Sequence, residues 1–133
     1  MVYAVVTGGG TSGHVIPAMA ICELLVEAGH PASDIRYVGS RRGVERELMK
    51  SSQISAEYLP ISGLQRSWSL HGMTRNALLP VRLLRSRILA RGLMKMWRPS
   101  VVISVGGYAS EPMSRAALAA NVPLVCVSYD RIP

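Results

Sequence analysis

Short apolar runs of strand length alternate along this chain with longer stretches of helical pattern. Val2 to Thr7 and Val101 to Val105 are almost continuously apolar, the signature of strands covered on both faces. Ile35 to Val38, Ala56 to Leu59 (stopped by Pro60) and Leu124 to Val127 read as three further strands. Ile16 to Ala28, closed by Gly29, reads as a helix, as does Pro112 to Ala120. Val44 to Lys50 reads as a short helix with Glu45, Arg46 and Glu47 outward, after a polar turn at Gly39, Ser40, Arg41 and Arg42. Ile61 to Gly72 reads as a loop carrying Gly63, Arg66 and Trp68, and Met73 to Trp97 as a long basic helical stretch kinked at Pro80. This alternation predicts an α/β domain: a Rossmann-like parallel sheet of about five strands with helices on both faces.

Two glycine-rich turns change the picture from fold to chemistry. TGGGTSGH (Thr7 to His14) and VGGYASEP (Val105 to Pro112) each follow a predicted strand and open onto a helix with an early proline, Pro17 or Pro112. Such a turn aims unpaired backbone N–H groups and the positive end of a helix dipole at one point. Two of them at the carboxyl ends of strands in one sheet predict a site for a substrate bearing phosphate or diphosphate. Gly9, Gly10, Thr11, Ser12 and Gly13 form the first cradle, and Gly106, Gly107, Tyr108 and Ser110 the second.

His14 directly follows the first glycines, at the helix start, a setting in which a neutral imidazole accepts a proton. It equally suits a histidine that only hydrogen-bonds the loop. Thr11 and Ser12 offer hydroxyls to a phosphate or sugar, or caps to the helix. Ser110 is placed as an N-cap, and Tyr108 offers a flat face and a hydroxyl to a sugar. His30 and His71 have no comparable setting. Gly8, Gly10 and Gly13 also match G-x-G-x-x-G, but a dinucleotide site needs an acid near the end of the second strand. Gly39, Ser40, Arg41 and Arg42 stand there instead, which disfavours NAD and leaves an NADP-binding or regulatory nucleotide module as a rival.

At 133 residues and 49% apolar the chain is one domain with a real core. It has no run of ~20 apolar residues that would span a membrane. It opens on a strand rather than a charged-then-apolar leader, which predicts a cytoplasmic protein. Cys22 and Cys126 lie in apolar runs far apart, as buried thiols of a reduced protein do. Net charge is +7, and eight basic residues with no acidic ones lie between Tyr58 and Ser110. That one-sided block predicts a polyanion or an anionic lipid surface as partner. In the helical stretch, Ala77, Val81, Leu84 and Ile88 form an apolar stripe suited to the sheet. Arg75, Leu79, Arg82, Leu83, Arg85 and Arg87 are the residues expected against a membrane. No aromatic platform accompanies the charge, so nucleic acid is not expected.

GGTSGHVIPA (Gly9 to Ala18), YVGS (Tyr37 to Ser40), GVERELM (Gly43 to Met49), ISGLQ (Ile61 to Gln65) and RPSVVISVGGYASEP (Arg98 to Pro112) together resemble the N-terminal domain of the MurG-like glycosyltransferases. The likeness runs in order over the whole chain. It implies the N-terminal half of a GT-B architecture, which binds a lipid-diphosphate-linked sugar acceptor on the inner face of the bacterial membrane. A separate C-terminal domain, absent here, would bind the donor UDP-GlcNAc. The implied reaction is inverting transfer of GlcNAc, lipid I to lipid II in peptidoglycan synthesis, with no metal or cofactor. The resemblance also implies that the glycine loops hold the diphosphate, that His14 is the general base, and that Thr11 and Tyr108 adjoin the acceptor.

The chain departs from that family at three places. Ser12 and Glu111 stand where glycines are usual, and VSYD (Val127 to Asp130) replaces H-E-Q-N, so that Asp130 takes an acceptor-site asparagine's position. The chain ends soon after the fifth strand. That suggests an acceptor-binding half that needs a donor domain, or one subunit of a two-component transferase, and no turnover by the chain alone.

Overall fold

The computed structural model describes residues 2–9, 12–41, 45–50, 52–61 and 79–127, without the side chains of residues 12, 13, 45, 46 and 79. Five strands are formed: β1 (Ala4–Thr7), β2 (Ile35–Ser40), β3 (Ser55–Leu59), β4 (Val101–Ser104) and β5 (Leu124–Cys126). Every pairing is parallel, in the order β3-β2-β1-β4-β5. The helices are α1 (Ser12–Glu27), α2 (Glu45–Leu48), α3 (Leu79–Trp97) and α4 (Glu111–Ala119).

Strand residues that alternate in sequence feed two separate cores, because successive side chains leave opposite faces of a sheet. Val5, Val38, Leu59 and Val102 pack with Ala90 and Met94 of α3 and Met113, Ala116 and Ala117 of α4. Val6, Ile35, Tyr37 and Val105 pack with Ala18 and Cys22 of α1, Met49 and Ile54. The result is three layers, with α1 and α2 on one face and α3 and α4 on the other. The chain builds outward from β1 to β3, then crosses back to β4 on the other side of β1. The strand order therefore reverses between β1 and β4, where an open α/β sheet leaves a crevice at its carboxyl ends.

Several expectations are corrected. β2 runs on through Gly39 and Ser40, read above as a turn, because these pair with Tyr58 and Leu59 and the Ser40 hydroxyl donates to the Ile61 carbonyl at 2.6 Å. α1 starts at Ser12 rather than Ile16; Gly13 and Pro17, poor helix formers, hide its first turn in the pattern. Cys126 is exposed, since β5 is the last strand of the described sheet. Cys22 is buried as expected, and its burial, together with the charge of Glu23, pushes the thiol up to about 12.

The largest correction concerns α3. Val81, Leu84 and Ile88, the stripe assigned to the sheet, are 63%, 60% and 62% exposed. Ser86, Ala90 and Met94 are buried instead, with Leu83, Leu93 and Trp97 half-buried against the core. Two apolar stripes at helical spacing run along this helix, and the one with small residues at its centre lies closer to the sheet. Ala77 and the rest of residues 62–78, including the loop and Arg75, lie outside the described residues, and the kink expected at Pro80 falls at their edge. Among the described residues no helix is long and apolar enough to cross a membrane.

Tyr37 ties the sheet to the first glycine turn. Its ring is fully buried in the α1 layer and its hydroxyl donates to the Gly8 carbonyl. Tyr37→Phe strands that acceptor, so urea unfolding is expected to show a loss of about 1–3 kcal/mol. An unchanged midpoint would show that the bond contributes nothing.

Candidate functional site: two glycine turns at the strand reversal

The turns that follow β1 and β4 meet at the point where the strand order reverses. The ladder between these strands extends into them, with the Val105 amide donating to the Thr7 carbonyl at 2.9 Å. The Thr7 hydroxyl donates to Val38 at 2.9 Å, so the end of β1 is also pinned to β2. Gly9 and Gly107 then touch. A Cβ on Gly107, whose φ is +82°, would collide with the carbonyl oxygen of Gly9. Only glycine permits both that backbone conformation and that approach.

His14 is the third residue of α1 and is half-exposed. Its ring lies against Gly106: a Cβ there would stand 3.4 Å from Cδ2 and 3.6 Å from Nε2. The imidazole thus belongs to both turns, supplied by one and packed on the other. The Gly106 amide is turned toward the Ser104 hydroxyl at 3.3 Å. A short 3-10 turn, Tyr108–Ser110, leads into α4.

Ser110 occupies the N-cap position, but its side chain does not cap. Its hydroxyl donates to the Gly107 carbonyl at 2.8 Å, and its amide donates to the same oxygen at 3.2 Å. Tyr108 is half-buried and packs against the α3–α4 core, so its ring supports the turn as well as bordering it. Gly10, Thr11 and Asp130 lie outside the described residues; Ser12 and Gly13 open α1. Of the predicted site residues, the structure therefore brings together Gly9, His14, Gly106, Gly107, Tyr108 and Ser110. Where a dinucleotide site would carry its acid, β2 ends in Ser40, buried and bonded to Ile61.

The residues expected against a membrane divide. Arg85 is exposed, Arg82 half-exposed, and Leu79 begins α3. Leu83 packs on the core instead, and Arg87 is drawn inward by Glu111. The outward face of α3 carries Val81, Leu84, Arg85, Ile88, Leu89, Arg91, Lys95 and Met96, and no acid. The Glu111 carboxylate accepts from Arg87 Nε at 3.0 Å, Arg87 Nη2 at 2.7 Å and Arg115 Nε at 2.9 Å. Burial alone would raise its pKa; the hydrogen bonds and charges of the two arginines outweigh this and hold it below the ordinary glutamate value. Sequence reasoning missed this cluster, because no local pattern links Arg87 to a residue 24 positions away.

A cavity of about 350 Å³ lies elsewhere, between α1 and the segment leading into β3. Met19, Cys22, Val26 and Ile54 line it, with Glu23 and Glu27. Its two carboxylates make it unsuited to an anion.

Residues 4–130 match the glycosyltransferase family 28 N-terminal domain. The chain belongs to this family. Over 119 residues it is 40% identical to the "UDP-N-acetylglucosamine--N-acetylmuramyl-(pentapeptide) pyrophosphoryl-undecaprenol N-acetylglucosamine transferase" of Anaeromyxobacter dehalogenans, a match covering 89% of this chain and 30% of that protein. A protein of the same name from Baumannia cicadellinicola is 31% identical over 96% of this chain and 34% of its own length. The chain thus spans about a third of these relatives. The crystal structure of Acinetobacter baumannii MurG superposes with a TM-score of 0.79 over 100% of this chain and 36% of that one. At 23% identity that likeness establishes the fold.

Glycine's necessity at the meeting point is testable against a glycine that is not needed. Gly107→Ala is expected to lower the urea midpoint by the equivalent of about 1–3 kcal/mol. Gly92 lies in α3 with open space around it, so Gly92→Ala should be neutral or stabilise by up to ~1 kcal/mol. Equal effects at both positions would contradict a close contact between the turns.

Proposed function

We propose that this chain is the acceptor-binding domain of an inverting transferase that moves GlcNAc from UDP-GlcNAc to a lipid-diphosphate-linked sugar, the step from lipid I to lipid II. One observation carries the reading: the two glycine turns touch at Gly9 and Gly107 while the His14 ring lies on Gly106. The helix starts of α1 and α4 give that point the positive ends of two dipoles, which favour an anion with two phosphates. The names of the relatives supply the class of substrate: a pyrophosphoryl-undecaprenol acceptor and a UDP-sugar donor.

The chemistry follows from the position of the imidazole. A sugar hydroxyl is a poor nucleophile until its proton leaves. With the diphosphate held by the turns, the acceptor hydroxyl stands beside His14, which takes its proton as the oxygen attacks the anomeric carbon. The configuration inverts, and UDP leaves with the bonding electrons. Fixing the acceptor in this way removes the entropy of bringing it to the base. The donor is held by a further domain or a separate subunit, and the domain itself requires no metal or cofactor.

The outward face of α3 gives the acceptor's lipid a place to lie. Val81, Leu84, Ile88 and Met96 are well exposed, interleaved with Arg85, Arg91 and Lys95. Apolar side chains among cations suit the inner face of a bacterial membrane, where anionic headgroups meet acyl chains.

Two measurements test these parts separately. In the protein that joins this domain to its donor-binding partner, His14→Ala should lower kcat by about 10²–10⁴-fold with little change in the KM for UDP-GlcNAc. An unchanged kcat removes His14 as the base. The chain alone should bind vesicles containing anionic phospholipid, less tightly as salt rises, and Leu84→Glu with Ile88→Glu should weaken that binding by at least about tenfold. Undiminished binding by the double variant would exclude this face.

A further inference from the structure

We propose that Glu111 and Arg87 are positioning residues: their ion pair holds the second glycine turn in register with α3, so that the diphosphate cradle and the lipid-facing helix form one rigid unit. This rests on the diphosphate reading above. Glu111 immediately follows Ser110, which is bound twice to the Gly107 carbonyl. The carboxylate is therefore joined to the turn through one residue of backbone. On its other side it is gripped in a fork, with Arg87 Nε and Nη2 both on Oε1 and Nε also 3.3 Å from Oε2. Arg115, one turn further along α4, adds a third donor.

The apolar contact between α3 and α4 cannot do this alone. It combines the small Ala90, Ala116 and Ala117 with Met94 and Met113, and Leu83, Leu93 and Trp97 pack against its edge. Apolar burial fixes how close two helices lie, but it is non-directional. A guanidinium fork on a carboxylate fixes direction as well as distance. Both side chains are only 34% exposed, so the pair is sheltered, unlike the open pair of Lys50 and Glu47 at 69% and 78%. Arg87 also sits between Leu84 and Ile88 in sequence, on the flank of the outward stripe. Whatever seats that stripe on a lipid surface therefore orients Glu111 and the turn behind it.

The charge argument makes the idea separable from simple electrostatics. Glu111 stands in the first turn of α4, beside the place of the diphosphate, and by Coulomb's law a carboxylate there repels it. Removing that charge should tighten anion binding if charge is all that matters. If position matters more, binding should weaken despite the lost repulsion.

Isothermal titration of the chain with inorganic pyrophosphate decides between them, using samples whose circular dichroism matches the wild type. The wild type should bind, and Glu111→Gln should bind about tenfold more weakly, the scale expected when a supporting contact lets a site loosen. Arg87→Lys keeps every charge and loses only the fork; it should weaken binding to a similar degree. It also decides the matter alone should the Gln variant fail to fold. Equal or tighter binding by either variant overturns the positioning role while leaving the diphosphate site intact. A wild-type chain that does not bind pyrophosphate overturns the diphosphate reading itself, and the inference with it.

Discussion

The contact between Gly9 and Gly107 is the constraint on which the rest of the molecule turns. Two backbone segments, almost a hundred residues apart, approach until no Cβ fits between them. That approach is possible only because β1 and β4 are hydrogen-bonded neighbours in register from Ala4 with Val101 to Thr7 with Ser104. It is useful only because the strand order reverses there, so that α1 and α4 leave on opposite faces while their starts remain together. Layers, register and strand order are thus what bring two helix starts and an imidazole to one place.

A second consequence concerns charge. The chain carries +7, and α3 within the described residues has no acid at all. Its Arg87 is paired with Glu111 of α4. The remaining cations of its outer face stay among exposed leucine, isoleucine, valine and methionine side chains. In the proposed reading, the phosphate site at the turns and the lipid face along α3 are two uses of one basic domain, joined through the layer that α3 and α4 share.

Much of this was legible in the sequence, for a physical reason. A strand, a glycine turn and a helix start are encoded locally, in a few consecutive residues, and the five strands stood where the apolar runs placed them. The family was legible too, in the same turns. What failed was information that periodicity does not hold. Val81, Leu84 and Ile88 recur at the same spacing as Leu83, Ser86 and Ala90, and only the packed structure says which set meets the sheet. Ser40 looked like a turn residue because its bond to Ile61 is long-range. Arg87 looked like a surface cation because Glu111 lies in another helix, and Cys126 looked buried because an edge strand reads like a central one. Tyr37 did leave a signal: a hydroxyl on the buried face of a strand has to find a partner, and it finds the Gly8 carbonyl.

The central claim is that a diphosphate-bearing lipid acceptor sits across both turns. The most direct test is nitrogen-15 nuclear magnetic resonance of the chain, titrated with a short-chain polyprenyl diphosphate sugar. The account predicts that the amides of Gly8, Gly9, Gly106, Gly107 and Tyr108 shift together, along one binding curve, with the His14 ring signals. Shifts confined to one turn, or centred on Arg98 and the far end of α3 with the glycines unmoved, would contradict it.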